Sequence, residues 1–332
     1  MAQRVLVTGA TSLIGRHVVD RLVERGDEVR TLQRTPGERR DVVDDRSGDV
    51  ADADAVAVAV DGVDAVIHLA AKVGIVGERS EFVAVNIDGT RHVLDAARRH
   101  GVGRVVHVSS PSVAHDGRPI IGDGAAPALT SVQHGGWYSD TKAVAERLAL
   151  SANGGDLAVV AIRPHLVWGP GDTQLVGRIV ERAQTGRLAI VGGGSALVDT
   201  TYIDNAAGAL IAALDAVAPG AVCAGKAYVI ANGEPRPIRE LVLGICRAAG
   251  VDAVPRDVPF RVARRVGGVV DRVWPRLDRT DEPPITRFLA EQLGTAHWFD
   301  PRPARDDLGW APQVSIDEGL ARLERWFDDQ PV

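Results

Sequence analysis

Tyr138 and Lys142 are the residues of this sequence whose types and spacing most directly predict chemistry. A separation of four residues puts both side chains on the same face of a helix. A free phenol has a pKa of about 10, and a neighbouring ammonium group lowers that pKa because it favours the phenolate. A tyrosine tuned in this way can donate a proton to a carbonyl oxygen or accept one from an alcohol. The pair predicts acid–base catalysis, although the same spacing also occurs in ordinary surface helices.

A glycine-containing turn near the N-terminus predicts a nucleotide site beside this pair. An apolar run over residues 4–7 precedes the turn and an amphipathic stretch follows it, which indicates a strand, a turn and a helix. Gly9 permits a tight turn, and Gly15 permits close packing of the helix on the strand. Ser12 stands where the middle glycine is usual, and its hydroxyl can cap the helix or bind a phosphate. Such a helix N-terminus attracts a pyrophosphate. The predicted cofactor-binding residues of the turn are Gly9, Thr11, Ser12, Leu13, Ile14 and Gly15.

The end of the second predicted strand, residues 28–32, indicates which dinucleotide binds. An NAD site usually has an acidic residue here for the ribose hydroxyls, whereas an arginine suits the 2′-phosphate of NADP. Arg34 occupies this position, with Arg39 and Arg40 close by in the sequence. We therefore predict NADP(H) as the cofactor. The alternative is that these arginines only solvate a loop.

Composition excludes several other classes of protein. Of the 332 residues, 45% are hydrophobic and 25% are charged, as in ordinary globular proteins. The net charge of −6 argues against nucleic acid as the main partner. No apolar run approaches the roughly 20 residues that span a bilayer, and the N-terminus runs directly into the first strand. We expect a cytoplasmic protein without a signal peptide. The only cysteines, Cys223 and Cys246, are expected to be reduced thiols, and no metal site is predicted.

Strand and helix patterns alternate along the first half of the chain, which predicts a parallel sheet with helices on both faces. The predicted fold class is α/β, a Rossmann-type doubly wound parallel sheet with a smaller α/β C-terminal substrate domain. The alternation breaks near residue 170, so we assign residues 1–170 to the NADP-binding and catalytic domain and residues 171–332 mainly to substrate binding. Ligands bind at the carboxyl ends of parallel strands. Four positions just past strand ends are expected to meet there: Gly9, Ala70, Ser110 and Pro164.

An unusual stretch at residues 261–275 combines valines and arginines on a helical pattern. The valines recur on one predicted face at positions 262, 266, 269, 270 and 273, and the arginines lie toward the other side. Three interpretations are open: a lid over an apolar substrate, an interfacial helix at a membrane surface, or an amphipathic helix packed on the core.

Taken together, the segments resemble the extended short-chain dehydrogenase/reductase superfamily, and within it the 3β-hydroxysteroid dehydrogenase-type branch. The resemblance covers nearly the whole chain and departs from the usual pattern at Ser12 and Trp168. The segments that carry it are residues 8–15, 48–50, 68–71, 85–90, 108–110, 138–142, 163–164 and 168–171. Further matches, at residues 70–72, 109–113, 163–172, 198–206, 219–228, 232–235 and 286–289, are similar to the ketoreductases of bacterial long-chain olefin biosynthesis.

The resemblance implies a role for individual positions. Tyr138 would donate the proton in reduction, Lys142 would lower its pKa and hold the nicotinamide ribose, and Ser110 would hydrogen-bond the substrate oxygen. Asp49 and Val50 would lie near the adenine, and Asn86 would belong to a structural and proton-relay shell. The remaining cofactor contacts that the resemblance implies are Ala70, Ala71, Pro164, Leu166 and Val167.

The implied reaction is NADPH-dependent reduction of a fatty-acid-derived 2-alkyl-3-oxo acid to the 3-hydroxy acid. Such a substrate needs an apolar trench, for which the valine-rich stretch is a candidate, and a cationic contact for its carboxylate, for which Lys72 and His165 are candidates. Ser112 and Tyr202 are further substrate candidates within the matching segments. The resemblance also implies a homodimer and association with other enzymes of the hydrocarbon pathway.

Three other functions remain open at this point. A hydroxysteroid or sterol-carboxylate dehydrogenase would use the same groups in the oxidative direction, and a nucleotide-sugar epimerase or dehydratase would need a polar second domain. A non-catalytic dinucleotide sensor would share the fold, since fold alone does not define function. The presence of Ser110, Tyr138 and Lys142 together argues against a sensor.

Overall fold

The centre of the molecule is a seven-stranded, entirely parallel sheet with helices on both faces. The computed structural model describes residues 2–35, 37, 41–74, 77–130, 136–274, 283 and 285–330. The sheet has the strand order β12-β7-β5-β4-β1-β2-β3, which confirms the predicted doubly wound Rossmann-type fold. Its strands are β1 (Arg4–Thr8), β2 (Glu28–Gln33), β3 (Asp44–Ser47), β4 (Ala65–His68), β5 (Arg104–Val108), β7 (Ala158–Pro164) and β12 (Ala227–Ile230). The strand order reverses between β1 and β4, where ligands bind in folds of this kind.

Successive side chains of each strand point to opposite faces of the sheet, so the sheet lies between two apolar layers. Val5 and Val7 pack with one set of helices, and Leu6 packs with the other. A strand covered on both faces must be apolar at every position, which explains why the sequence shows runs and not alternation. The helices of the Rossmann half are α1 (Leu13–Arg25), α2 (Ala53–Val60), α3 (Arg79–Phe82), α4 (Gly89–Arg99) and α5 (Gly136–Ser151).

A π-helical segment, Val83–Asp88, joins α3 to α4. The sequence pattern favours one continuous helix over residues 82–99, and the structure differs because Asn86 is inside this wider turn and is buried. Such π-bulges occur frequently at functional sites. Here the bulge directs the Asn86 amide toward the loop that follows β4, as its hydrogen bonds below show.

The C-terminal half forms a second lobe with its own core of buried side chains, among them Trp168, Ile179, Ile203, Leu241 and Leu323. One strand from the first half of the chain, β6 (Ile120–Asp123), also belongs to this lobe. The other strands of the lobe are β8 (Val167–Trp168), β9 (Ala189–Val191), β10 (Leu197–Val198), β11 (Thr201–Tyr202), β13 (Arg236–Pro237), β14 (Arg256–Val258) and β15 (His297–Phe299). Its helices are α6 (Val176–Gln184), α7 (Ile203–Ala216), α8 (Ile238–Ala248), α9 (Phe260–Val273), α10 (Arg287–Gly294), α11 (Arg302–Leu308) and α12 (Ile316–Asp328). A four-stranded sheet of order β13-β10-β15-β6 lies in this lobe, with the pairs β8-β11 and β9-β14 beside it.

The chain returns to the Rossmann sheet after residue 170. Strand β12 pairs with β7 over Ala227–Ile230, and α7 contributes Leu210 and Leu214 to the same core as β1. The central sheet therefore draws on both halves of the sequence. The proposed division at residue 170 stays a prediction.

Helix α9 turns its valines outward. Val262, Val266, Val269 and Val273 are 45–59% exposed, whereas Ala263 and Gly267 are buried against α10. A Cβ at Gly267 would lie 2.5 Å from the backbone nitrogen of Arg287, so the small-residue face is the packing face. Of the three interpretations of this stretch, packing of the valine face on the core is excluded, because that face meets solvent. Residue 275 lies outside the described residues.

Candidate active site

The turn between β1 and α1 forms the cradle predicted for a pyrophosphate. Gly9 has φ +72°, and a Cβ there would lie 2.8 Å from the backbone nitrogen of Ala70. A Cβ at Gly15 would lie 2.4 Å from the Gly9 carbonyl oxygen. The Ser12 hydroxyl donates to that same carbonyl (2.8 Å) and accepts from the Gly15 N–H (3.1 Å), so Ser12 caps α1. The turn is therefore compatible with serine, and Thr11 is exposed beside it.

The cradle fits a bound dinucleotide, because backbone approaches at both glycines leave no room for side chains and α1 presents its N-terminus there. Leu13 and Ile14 form the first turn of α1, behind the cap. These are the positions at which a pyrophosphate would meet backbone N–H groups.

Arg34 and Asp49 lie close together past the ends of β2 and β3. The Arg34 side chain is 77% exposed, and its Nε lies 3.9 Å from the Asp49 carboxylate. Val50 is buried, and its Cγ2 lies 2.8 Å from the position of a Cβ on Gly89. The exposed guanidinium of Arg34 can turn toward a phosphate, and the Asp49 carboxylate would compete with that phosphate for it. Arg39 and Arg40 lie outside the described residues.

A chain of buried hydrogen bonds fixes the loop after β4. The Thr8 hydroxyl lies 2.8 Å from Nδ1 of His68 and accepts from the Ala70 N–H at 3.2 Å. Nε2 of His68 lies 3.1 Å from the Thr90 hydroxyl, which donates to the Asn86 carbonyl. The loop that carries Ala70 and its neighbour Ala71 is thereby tied to β1 and to the π-bulge, which positions it below the cradle.

Asn86 connects that loop to the helix that carries Tyr138. Its Oδ1 accepts from the Lys72 N–H (2.7 Å), and its Nδ2 donates to the Lys72 carbonyl (3.1 Å) and to the Thr141 hydroxyl (3.0 Å). One buried amide therefore fixes the loop after β4 relative to α5. The ammonium group of Lys72 pairs with Glu81 at 3.0 Å, away from the pocket described below.

Tyr138 and Ser110 lie beside each other past the end of β5, and Lys142 follows Tyr138 one turn further along α5. The ammonium group of Lys142 is buried and donates to the Val108 carbonyl (2.6 Å), and burial lowers its pKa to about 8. Burial also raises the pKa of Tyr138 to about 12, with a hydrogen bond to Ser110 acting in the opposite direction. The pKa of the phenol thus shifts upward and not downward as the sequence spacing suggests, because loss of solvent around the phenolate outweighs its polar contacts. The phenol is protonated at neutral pH.

A buried ion pair that no sequence motif marks holds α5 against the sheet. Arg163, on β7, donates from Nε (2.7 Å) and Nη2 (2.5 Å) to the two carboxylate oxygens of Glu146. The two side chains are 1% and 0% exposed. Because Glu146 lies one turn beyond Lys142, this bidentate contact fixes the rotation and height of the helix that carries the catalytic candidates.

A pocket of about 100 Å³, open to solvent, lies beside Ser110. Its lining is Ser110, Pro111, Ser112, His115, Ile120, Pro164, His165, Leu166, Phe288, Gln292, His297 and Phe299. The predicted residues Ser110, Ser112, Pro164, His165 and Leu166 therefore share one pocket. Leu166 has φ +42°, a conformation that side chains rarely adopt and that clusters at functional sites.

Other substrate candidates lie elsewhere. The ring of Tyr202 is buried against Trp168 at a centroid distance of 5.4 Å, in the core of the second lobe. Val167, a predicted cofactor contact, is on β8 and pairs with Thr201 of β11. None of the α9 valines lines the pocket, whose apolar wall comes from Ile120, Leu166, Phe288 and Phe299.

His165 lines the pocket but does not supply the cation suggested by its sequence context. Its Nδ1 lies 2.5 Å from the Asp199 carbonyl, and burial lowers its pKa to about 4. The ring is therefore neutral near pH 7. His115 and His297 complete a cluster with it, and their positions, distant in sequence, explain why no linear motif announces them. The described part of the chain holds no group of three or more His, Cys, Asp or Glu arranged to bind a metal.

Comparisons with known proteins agree with this geometry. The chain is 49% identical to the 2-alkyl-3-oxoalkanoate reductase of Stenotrophomonas maltophilia, over 97% of this chain and 98% of that protein. It is 36% identical to the Shewanella oneidensis protein of the same name, over 96% of this chain and 84% of that one. The solved structure of MoeE5 in complex with UDP-glucose and NAD superimposes with a TM-score of 0.75 at 24% identity, over 98% of each chain, which shows the shared fold.

The fold and the site define a Rossmann-type oxidoreductase of the short-chain dehydrogenase/reductase class, which uses NAD(P) and acts on alcohol or ketone groups. A sequence profile of the 3-beta hydroxysteroid dehydrogenase/isomerase family matches residues 6–259. The chain belongs to that family.

Proposed function

We propose that this enzyme reduces the 3-oxo group of 2-alkyl-3-oxoalkanoic acids to the 3-hydroxy acids, as a step of long-chain olefin biosynthesis. The observation that carries the proposal is the 49% identity to the Stenotrophomonas maltophilia reductase across nearly the full length of both chains. The pocket supports it, because apolar side chains and several uncharged polar groups line the space beside Ser110. Such a lining suits an alkyl chain that carries one small polar group.

In this proposal Ser110 and Tyr138 hold the substrate carbonyl oxygen. Ser110 is close enough to the phenol to lower its pKa, so both hydroxyl groups can reach the same substrate oxygen. Donors placed where negative charge develops stabilise the transition state. A bound nicotinamide supplies the hydride. Tyr138 donates its phenolic proton to the oxygen, and the Lys142 ammonium, 2.6 Å from the Val108 carbonyl, stabilises the phenolate that remains.

The proposed cofactor is NADPH, with Arg34 as the residue that meets the 2′-phosphate. The support is its exposed guanidinium past the end of β2. In an Arg34→Ala variant, KM for NADPH should rise at least tenfold while KM for NADH changes little. Arg46→Ala is the matched control, because Arg46 is on the neighbouring strand β3 and pairs with Asp44. Equal catalytic efficiency of the unaltered enzyme with NADH and NADPH would exclude NADP preference.

A substrate panel with NADPH tests the proposed reaction. The arms are 3-oxo acids with a 2-alkyl branch, 3-oxo acids without one, 3-oxosteroids and nucleotide sugars, with NADPH oxidation followed by absorbance. We expect the branched acids to give the highest kcat/KM. Preference for the steroid would favour a hydroxysteroid dehydrogenase, the activity for which a relative 34% identical to this chain is named. No turnover of any arm, with cofactor binding intact, would favour a sensor.

We further propose that α9 rests on an anionic membrane surface while the protein stays cytoplasmic. The support is its stripe of four exposed valines, flanked by Arg261 and Arg265 on the same helix. No helix in the described ranges is long and apolar enough to cross a bilayer. Cosedimentation with vesicles containing phosphatidylglycerol should exceed that with phosphatidylcholine alone. Val266→Ser with Val269→Ser should abolish the difference, whereas Val254→Ser, an exposed valine outside α9, should not.

The homodimer and the association with other enzymes of the pathway stay predictions. Sedimentation velocity of the purified chain tests the first, and copurification of tagged protein from a host that expresses the pathway tests the second.

A further inference from the structure

Leu166 differs from the rest of the pocket wall in its backbone conformation. Its φ of +42° lies in the left-handed region, which is unfavourable for a residue that carries a Cβ. Every other residue with a positive φ in the described part of the chain is a glycine. A leucine kept at such a position, beside Ser110 in the lining of the pocket, indicates that its side chain has a role there.

Thr201, the first residue of β11, fixes the backbone around Leu166. Its hydroxyl donates to the carbonyl oxygens of His165 (2.8 Å) and Ile230 (2.9 Å), and its N–H donates to the Leu166 carbonyl (3.3 Å). The His165 N–H in turn donates to the Ile230 carbonyl at 2.9 Å. Thr201 is fully buried, so water does not compete for these hydrogen bonds. One residue of the second lobe therefore fixes the carbonyl groups of both His165 and Leu166 against the end of β12.

Leu166 lies between the pocket and the core of the second lobe. Its half-buried side chain packs against the cluster that contains Trp168 and Ile203, and the residue also lines the pocket. A change of φ to the usual negative range, with the two carbonyl groups fixed, would rotate the Cα–Cβ bond and move the side chain away from this place. The contacts of Thr201 therefore hold Leu166 in the wall against the preference of its own backbone.

The pocket is small, at about 100 Å³, so the bulk of each lining residue limits what fits. In a 2-alkyl-3-oxo acid the branch is attached to the carbon next to the keto carbon, so its first atoms must lie in this pocket when Ser110 holds the keto oxygen. We propose that Leu166 is a specificity-determining residue that limits the bulk at the start of this branch, and that Thr201 is the positioning residue that keeps it in place. The inference rests on the proposed function and specifies the substrate within that class.

Two variants at this position measure the strain without any substrate. Leu166→Gly and Leu166→Ala remove nearly the same contacts, so the difference between their stabilities reports mainly on the backbone. Because glycine takes a positive φ without strain, Leu166→Gly should be the more stable of the two, with an unfolding constant about two- to fivefold smaller in urea denaturation. Leu320 supplies the matched control, since it is half-buried against the same cluster but lies within helix α12. There the order should reverse, with Leu320→Ala more stable than Leu320→Gly.

A pair of isomeric substrates tests the specificity. One 3-oxo acid carries a linear butyl group next to the keto carbon and the other a 1-methylpropyl group, so they differ only in the position of one methyl group. The unaltered enzyme should prefer the linear isomer by at least about tenfold in kcat/KM, as expected for one methyl group too many in an apolar pocket. In Leu166→Ala that preference should fall to about threefold or less, because the wall no longer excludes the methyl group, whereas Leu320→Ala should keep it.

Variants of Thr201 test the positioning role. Thr201→Val keeps the size of the side chain but removes its hydroxyl, so it should lower the preference for the linear isomer as Leu166→Ala does. Thr201→Ser keeps the hydroxyl and should retain the preference of the unaltered enzyme. A merely structural role of Thr201 would change the stability of the valine variant and leave its preference unchanged, which would exclude Thr201 as the positioning residue.

Three results would overturn the role of Leu166. These are equal reduction of both isomers by the unaltered enzyme, an active Leu166→Ala enzyme that keeps the preference for the linear isomer, and a Leu166→Ala variant at least as stable as Leu166→Gly. The comparison of the two Leu166 variants is decisive even if Thr201→Val does not fold. Failure of the proposed function is distinct, because the unaltered enzyme would then reduce neither isomer.

Discussion

At the scale of single residues, burial decides the protonation states at the site. The phenol of Tyr138, with its pKa near 12, is in the form that donates, and Lys142, with its pKa near 8, remains mostly cationic at neutral pH. Both pKa values shift in the direction expected for buried groups, because loss of solvent disfavours the charged form. A protonated phenol one helical turn from a buried lysine suits the proposed reduction, in which Tyr138 is the proton donor.

Removing the phenolic hydroxyl tests this assignment. In Tyr138→Phe, kcat for the branched 3-oxo acid should fall by about 10²–10⁴, the usual contribution of a general acid. NADPH binding, followed by fluorescence, should be unchanged. Tyr228→Phe is the matched control, because that hydroxyl bonds Asp307 of α11 at 2.6 Å, and the substitution should leave kcat within about twofold. A Tyr138→Phe enzyme with full activity would exclude the mechanism.

At the scale of elements, α5 is positioned by contacts from three directions. Glu146 pairs with Arg163 on β7, Thr141 bonds Asn86 of the π-bulge, and Lys142 bonds the end of β5. These contacts are buried and directional, so they fix a single orientation of the helix. The geometry of the site therefore depends on side chains that never meet the substrate.

Removing only one partner of the buried ion pair should destabilise the protein more than removing both. Arg163→Met leaves the Glu146 carboxylate buried without its cation and should lower the free energy of unfolding by about 3–5 kcal/mol, measured by urea denaturation. The double variant Arg163→Met, Glu146→Leu should recover much of that loss, because no charge then remains buried. A double variant as unstable as the single one would mean that packing, not charge, is responsible.

Two adjacent glycines of α9 give a test of its docking on α10. Gly267→Ala forces a methyl group to within 2.5 Å of backbone atoms of residues 286 and 287, so we expect a loss of about 1–3 kcal/mol and faster hydrogen exchange in α9. Gly268→Ala faces open space and should be neutral or stabilise by up to about 1 kcal/mol. Equal effects of the two substitutions would contradict the orientation of the helix.

At the scale of the whole molecule, several histidines are buried in their neutral form. Burial lowers the pKa of His68 to about 3 and that of His107 well below 6.5, in addition to those of the pocket residues His165 and His297. Below pH 6.5 the unfolded chain binds protons that the folded chain does not. Stability is therefore fully present above that pH and is lost as the pH falls, at most about 1.4 kcal/mol per pH unit for each histidine. Asp199, with its raised pKa, acts in the opposite sense between its unfolded value and about 6.

His107 isolates this effect, because neither of its ring nitrogens has a hydrogen-bond partner in the described part of the structure. His107→Leu should leave stability at pH 7.5 unchanged or higher, and should reduce the loss between pH 6.5 and 5 by about 1–2 kcal/mol, measured by urea denaturation at each pH. Val106→Ala, on the same strand, changes no titratable group and should keep the slope of the unaltered protein. An unchanged slope in His107→Leu would show that this ring does not control acid stability.

Local patterns in the sequence sufficed to predict the fold and to select the candidate residues of the site. The turn at Gly9 and Gly15, the runs of apolar strand residues and the spacing of Tyr138 and Lys142 are short-range features, since helix and strand periodicities act over a few residues. They predicted the parallel sheet, which the structure confirms, and the meeting of Gly9, Ala70, Ser110 and Pro164 at its edge follows from that topology.

Solvent exposure and long-range contacts were decided only by the tertiary structure. From sequence, the valine face of α9 can be a lid, a membrane-interface face or a core face. In the structure it is exposed, because the glycine and alanine face offers closer packing on α10. The π-bulge at Asn86, the ion pair of Glu146 with Arg163 and the upward shift of the Tyr138 pKa all depend on neighbours distant in sequence. The sequence by itself determined which helices and strands form and which side chains lie just past the strand ends. Desolvation and packing, which require every neighbour in place, determined the charge, the partner and the orientation of each group.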